Sequence, residues 1–269
     1  MTQEPNNPDY PPSSTYPEYP RGEPPQTPAP EQRVAISTPT GRPYVTYTLM
    51  GINIIVFLLQ SAGEVLFGFD MVASLGLKVN DLIMQGQYWR LFTPMFLHGS
   101  ILHLGFNMYA LYIFGPGLER YYRHGRFILL FLLGGFAGNV FSFMFSASPS
   151  LGSSTAIFGL LGAEGVFLYR NQKVLGGVAR RALNNIIMIA IINFMIGLSP
   201  GIDNWGHMGG LIGGTIFAWI GGPILKVKGI YPDLRVEDIT ETREVALAAL
   251  VDISVFGFLA FGTIFLWGS

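Results

Sequence analysis

Four side chains in this sequence are of the types that run acyl-transfer chemistry. Ser154 lies in the stretch GSSTAIFGLLGA at 152–163, His207 in NWGHMGGLIGG at 204–214, and His103 and Asn107 in HGSILHLGFNMYALYIFGPGLE at 98–119. A serine hydroxyl is a weak nucleophile until a neighbouring base takes its proton, and an imidazole from another helix can do so. The chemistry these residues allow is therefore hydrolysis, with Ser154 attacking and His207 as base. The tetrahedral intermediate of such a reaction carries an oxyanion that needs donors aimed at it beforehand. His103 and Asn107, four residues apart on one helical face, and the backbone N–H of Ser154 are suitable donors. His98 stands just before them in the chain.

Each residue also has an ordinary use. Serine and asparagine serve as helix contacts in membranes, and a membrane histidine can sit on a proton path or hold a structural bond. The joint placement of the four decides between these, and it depends on the elements that carry them. Half of the 269 residues are hydrophobic, 12% are charged, and mean hydropathy is +0.41, the composition of an integral membrane protein. Seven segments approach the roughly 20 residues needed to cross a bilayer: 45–61, 98–118, 127–146, 154–170, 183–199, 205–222 and 247–267. The predicted fold is all-α, a polytopic bundle of seven transmembrane helices.

Fourteen of the sixteen Lys and Arg residues fall before the first segment or in the connections 119–126, 170–182 and 223–246. By the positive-inside rule these stretches are cytoplasmic, which puts the N-terminus in the cytoplasm and the C-terminus outside. Segments two, four and six then all enter from the outer face. Their first turns share a depth, and there lie His103 with Asn107, Ser154, and His207.

Helix packing favours the same convergence. Gly206, Gly210 and Gly214 recur every four residues on segment six, with Gly159 and Gly162 on segment four, and small residues at this spacing let helix backbones approach closely. Gly152 precedes the serine. Phe158, one turn below Ser154, is placed to stack on the His207 ring.

Outside the core, residues 1–44 hold twelve of the eighteen prolines and are predicted to form a disordered cytoplasmic tail. The outer connection 62–97 carries so many apolar residues that it is expected to be structured against the bundle or the interface. Residues 223–246 read as a cytoplasmic linker and 247–269 as a helix added after a core at 45–222.

The quoted stretches resemble the rhomboid family of intramembrane serine proteases: the Gly-x-Ser motif at 152–154, the His and Asn helix at 98–119, the histidine-glycine helix at 204–214, and Trp89–Arg90 in the outer loop. The resemblance implies a Ser154–His207 dyad without a third acid, supported by Gly152, Phe158, His98, Gly206 and Gly210. It also implies cleavage, through an acyl-enzyme, in or beside transmembrane segments of membrane proteins, by a six-helix core with one helix added. Two positions depart from the family pattern. Thr155 stands where glycine usually follows the serine and is expected to narrow the oxyanion side; Gly206 replaces the alanine often found before the histidine.

Asp203, four residues before His207, reads as a helix cap and not as a triad acid. Glu164 lies ten residues past Ser154, about 15 Å at helical rise and too deep to reach it. A transporter reading is disfavoured because, beyond Glu164 and Asp252, the segments lack a chain of carboxylates. The alternative within the same fold is a non-catalytic protein that binds client transmembrane helices. No cofactor or metal is implied, and zero cysteines exclude thiol chemistry. Expected partners are transmembrane substrates and the lipid bilayer, not nucleic acid. The expected location is a cell membrane, bacterial because no organellar presequence pattern is present.

Overall fold

The computed structural model of the chain describes residues 40–268. The tail predicted over 1–44 lies outside the described residues as far as 39, and the first helix begins at Tyr44. Helices α1 (Tyr44–Phe67), α2 (Met71–Gly76), α3 (Asn80–Met84), α4 (Ile101–Phe145), α5 (Ser154–Arg170), α6 (Gln172–Leu175), α7 (Gly177–Ile196), α8 (Asn204–Gly221) and α9 (Thr242–Gly268) follow in order. Four of them, α1, α4, α7 and α9, are long and apolar enough to cross a membrane. The chain is an all-α membrane protein.

Local chemistry sets the helix ends. Gly68, with φ 77°, ends α1 in the left-handed conformation that glycine adopts without strain. Ser100 caps α4 by accepting from His103 N, and Asp203 caps α8 by accepting from Gly206 N at 2.9 Å. The start of α1 has no such cap of its own, since Pro43 offers no side chain for it. Glu119 of α4 supplies it instead, accepting from Val45 N at 2.8 Å, Thr46 N at 2.7 Å and Thr46 Oγ1 at 2.6 Å. A carboxylate is well placed there, against the positive end of the helix dipole.

Segments two and three were expected as separate spans joined by a loop at 119–126. They are two helical limbs of α4, as expected, but in place of an eight-residue loop the break is confined to Arg123, whose φ of 62° and ψ of 161° are non-helical. The limbs 101–122 and 124–145 meet almost without a connector. Tyr122 is fully buried and donates to Ala163 O, and His124 Nδ1 lies 2.6 Å from Glu119 Oε1 across the break. A second difference lies in the expected linker 223–246, which holds an antiparallel pair, β1 (Leu225–Lys228) and β2 (Arg235–Asp238), with Leu225 opposite Asp238. Asn171 ties this hairpin to the end of α5, donating to Pro223 O and accepting from Leu225 N.

The centre of the bundle is α5, most of which is buried between the second limb of α4 and α8. Backbones touch there: a Cβ added at Gly159 would stand 2.9 Å from the Gly134 Cα, and one at Gly214 would collide with Gly159 O. Lipid tails are as apolar as leucine, so close van der Waals packing of this kind, not hydrophobic transfer, holds such helices together. α9 packs against α8 through Ala248 beside Gly221 and Phe256 beside Gly213.

Candidate active site

Ser154 opens α5, and the short segment 146–153 that delivers it is fixed at several points. Gly152 N donates to Pro94 O at 2.9 Å, and Ser153 Oγ lies 3.3 Å from His98 Nε2. Gly152 adopts φ 129°, which side chains rarely tolerate. A Cβ here would stand 2.7 Å from His103 Nε2 and 3.6 Å from Ser154 Oγ. Glycine thus keeps open the gap flanked by the Ser154 hydroxyl and the His103 ring. The first N–H groups of a helix lack intrahelical partners, so those at the start of α5 are free to serve as donors into that region.

His207, in the first turn of α8, places Nε2 3.0 Å from Ser154 Oγ. Its ring stacks on Phe158 with centroids 4.2 Å apart and planes at 9°, and Phe158 in turn meets Phe194 of α7 edge-on. Stacking holds the imidazole in the plane that aims Nε2 at the serine. Nδ1 is buried without a partner among the described residues, so no carboxylate orients the ring from behind. Asp203 is engaged as the cap of α8.

His103 and Asn107 lie on α4, as their spacing requires. Asn107 Nδ2 donates one bond to His103 O at 3.0 Å, which fixes the side chain and leaves its second N–H uncommitted by that bond. His98 packs edge-on to His103 at 5.2 Å between centroids, and its main chain exchanges two hydrogen bonds with Gln60 of α1. The structure therefore brings Ser154, His207, Gly152 and Phe158 into one cluster, with His103 across the gap and His98 behind it. Gly210 lies in the α5–α8 seam, where a Cβ would collide with Thr155 O. Glu164, partly buried, lies a further ten residues along α5.

Thr155 departs from expectation. Its side chain is taken up between Gly138 of α4 and Gly206 of α8: a Cβ added at those glycines would stand 2.6 Å from Thr155 Cβ and 3.0 Å from Thr155 Cγ2. The branch fills a helix seam and does not narrow the oxyanion side. Sequence reasoning also missed the contact of Ser153 with His98 and the burial of Lys78, whose Nζ donates to Ser146 O at 2.8 Å and Ser148 O at 2.9 Å. One signal for Lys78 was present, since only it and Arg90 break the one-sided distribution of positive charge.

A bundle of apolar helices with a serine and a histidine from two helices in contact at one end defines a class of membrane protein, and comparison with known proteins gives the family. The family model described as the rhomboid domain matches residues 85–224. The rhomboid protease GluP of Bacillus subtilis is 43% identical over 179 residues, which are 66% of this chain and 35% of that protein. RHOMBOID-like protein 9, chloroplastic, of Arabidopsis thaliana is 35% identical over 193 residues, 68% of this chain and 44% of that one. RHOMBOID-like protein 6, mitochondrial, of the same plant is 39% identical over 140 residues, 51% and 45% of the two chains. The chain belongs to the rhomboid family, and it spans less than half the length of these curated relatives.

Proposed function

We propose that the protein is an intramembrane serine endopeptidase that hydrolyses peptide bonds in or next to transmembrane segments of membrane proteins. The observation that carries this is the 3.0 Å approach of His207 Nε2 to Ser154 Oγ, with the imidazole stacked on Phe158. His207 takes the hydroxyl proton as Oγ bonds to the scissile carbonyl carbon. The oxyanion forms in the gap beside Gly152, facing His103, Asn107 Nδ2 and the N–H of Ser154. Collapse breaks the C–N bond, and the proton on His207 leaves with the amine. Water then attacks the acyl-enzyme, giving its proton to His207, and the ester bond to Ser154 breaks as His207 returns that proton to Oγ, which releases the carboxylic product and restores the serine.

Peptide bonds of a substrate helix are hidden in i to i−4 hydrogen bonding, so the segment must unwind before cleavage. Glycine or proline near the cut weakens the helix and favours the reaction. The distribution of Lys and Arg supports a cytoplasmic N-terminus, with Ser154 near the outer face of a cell membrane. The test is reconstitution in liposomes with a transmembrane peptide. The unmodified protein cleaves the peptide, faster with glycine near the cut, and Ser154→Ala does not. Intact peptide across varied sequences, together with binding, would instead favour a client-binding role.

A further inference from the structure

Lys78 sits between α2 and α3 with no exposed surface, although an ammonium is among the costliest groups to bury. Two N–H donors of Nζ go to Ser146 O and Ser148 O, and none of the ion pairs among the described residues includes it. Its backbone forms an antiparallel bridge with Ser150, with Lys78 N to Ser150 O at 3.1 Å and Ser150 N to Lys78 O at 3.2 Å. Asn80 Nδ2 shares the Ser146 carbonyl and adds that of Phe143, each at 3.1 Å. From behind, Arg90 clamps the preceding stretch through Leu77 O and Ser74 O. All the carbonyls that Lys78 and Asn80 bind belong to the end of α4 or to the segment between α4 and Ser154.

That segment determines where Ser154 stands. Its carbonyls at the end of α4 have no helical partners, and a cation there answers both the free oxygens and the negative end of the helix dipole. Gly152, two residues past Ser150, must hold its φ of 129° to leave the gap at His103 open. A shift of the chain at 148–152 therefore moves the Ser154 hydroxyl and N–H relative to His207 and His103.

We propose that Lys78 is a positioning residue for Ser154, locking segment 146–153 through hydrogen bonds from its buried amine and so acting on kcat and not on substrate binding. The role rests on Ser154 being the nucleophile. Burial pushes the Lys78 ammonium down to about 8, with Asp203 acting in the opposite direction. The neutral amine retains two N–H groups for the two carbonyls.

The test compares the full chain with Lys78→Met and with Asn80→Ala, which removes a second tie to the same carbonyl without altering the buried amine. In liposomes with a transmembrane peptide, Lys78→Met lowers kcat roughly tenfold to a hundredfold and leaves KM within about twofold, as misplacement of a reacting group does. In parallel, hydrogen exchange at the amides of 146–153 becomes faster, while exchange in α5 and α8 is unchanged. Asn80→Ala moves both quantities in the same direction by less, and it stands in for Lys78→Met if that variant does not fold. Unchanged exchange at 146–153, or a rise in KM with kcat kept, overturns the role of Lys78. Absence of cleavage by the unmodified protein overturns the assignment of Ser154 instead, and the exchange result still decides whether Lys78 holds the segment.

Discussion

The Thr155 methyl occupies the space that glycine leaves at position 206, since a Cβ there would stand 3.0 Å from Thr155 Cγ2. The family pattern noted in the sequence has the reverse order, a glycine after the serine and an alanine before the histidine. In this chain the bulk lies on α5 and the gap on α8, across one seam. The two departures thus meet in one contact, next in the chain to Ser154 and to His207.

From this pairing, Gly206→Ala is expected to destabilise the protein, and Thr155→Gly to relieve part of the cost. Rescue is partial because the added Cβ also stands 2.9 Å from Asp203 Oδ2. A double-mutant cycle on thermal unfolding should give a coupling of about 0.5–3 kcal/mol, in the range for residues in contact. Additive effects would show that the seam repacks without either residue sensing the other.

Glu119 caps a helix that lies more than seventy residues earlier in the chain, with three hydrogen bonds to Val45 and Thr46. Glu119→Ala leaves two helix N–H groups and the Thr46 hydroxyl without these bonds. A hydrogen bond to a charged acceptor contributes roughly 1.5–3 kcal/mol, so loss of the three together is expected to cost several kcal/mol. Thermal unfolding in detergent checks this. A loss below 1 kcal/mol, about the size of a single ordinary hydrogen bond, would mean that the α1–α4 junction is held by packing alone.

Asp203 caps α8 through Gly206 N and makes no hydrogen bond to the imidazole of His207. Asp203→Ala should therefore lower stability by about 0.5–2 kcal/mol, the usual value of a helix cap. Turnover per folded molecule stays near that of the unmodified protein. Loss of turnover in a folded Asp203→Ala variant would make Asp203 part of the reaction.

Lys78 gives a pH dependence whose sign follows from linkage. The unfolded chain keeps the Lys78 proton up to 10.5, whereas the folded chain releases it at about 8. Between those values the unfolded state binds more protons, so stability rises with pH. Relative to Lys78→Met, the unmodified protein is expected to gain thermal stability from pH 8 toward 10.5, with a constant difference below pH 8. A difference that does not change across pH 7–10 would contradict the burial of this amine.

Much of the site was legible because it obeys short rules. His103 and Asn107 share a face by their i, i+4 spacing, and His103 stands across the gap at Gly152 from Ser154. Phe158 under His207 follows from one helical turn. The break at Arg123 falls inside the connection expected at 119–126, but its sharpness was not legible, since a single non-glycine residue at positive φ carries no sequence mark. The strands at 225–228 and 235–238 are too short for a period of two to stand out. Lys78 and the Ser153–His98 contact depend on how two loops fold over each other, which neither loop encodes alone.

The central claim is that His207 activates Ser154, and covalent labelling with a fluorophosphonate tests it most directly. The reagent needs an activated serine but no transmembrane substrate. Mass spectrometry of the labelled protein should find one phosphonyl adduct, on Ser154, and none in Ser154→Ala or His207→Ala. An adduct on Ser153, or labelling of Ser154 that survives loss of His207, would contradict the dyad.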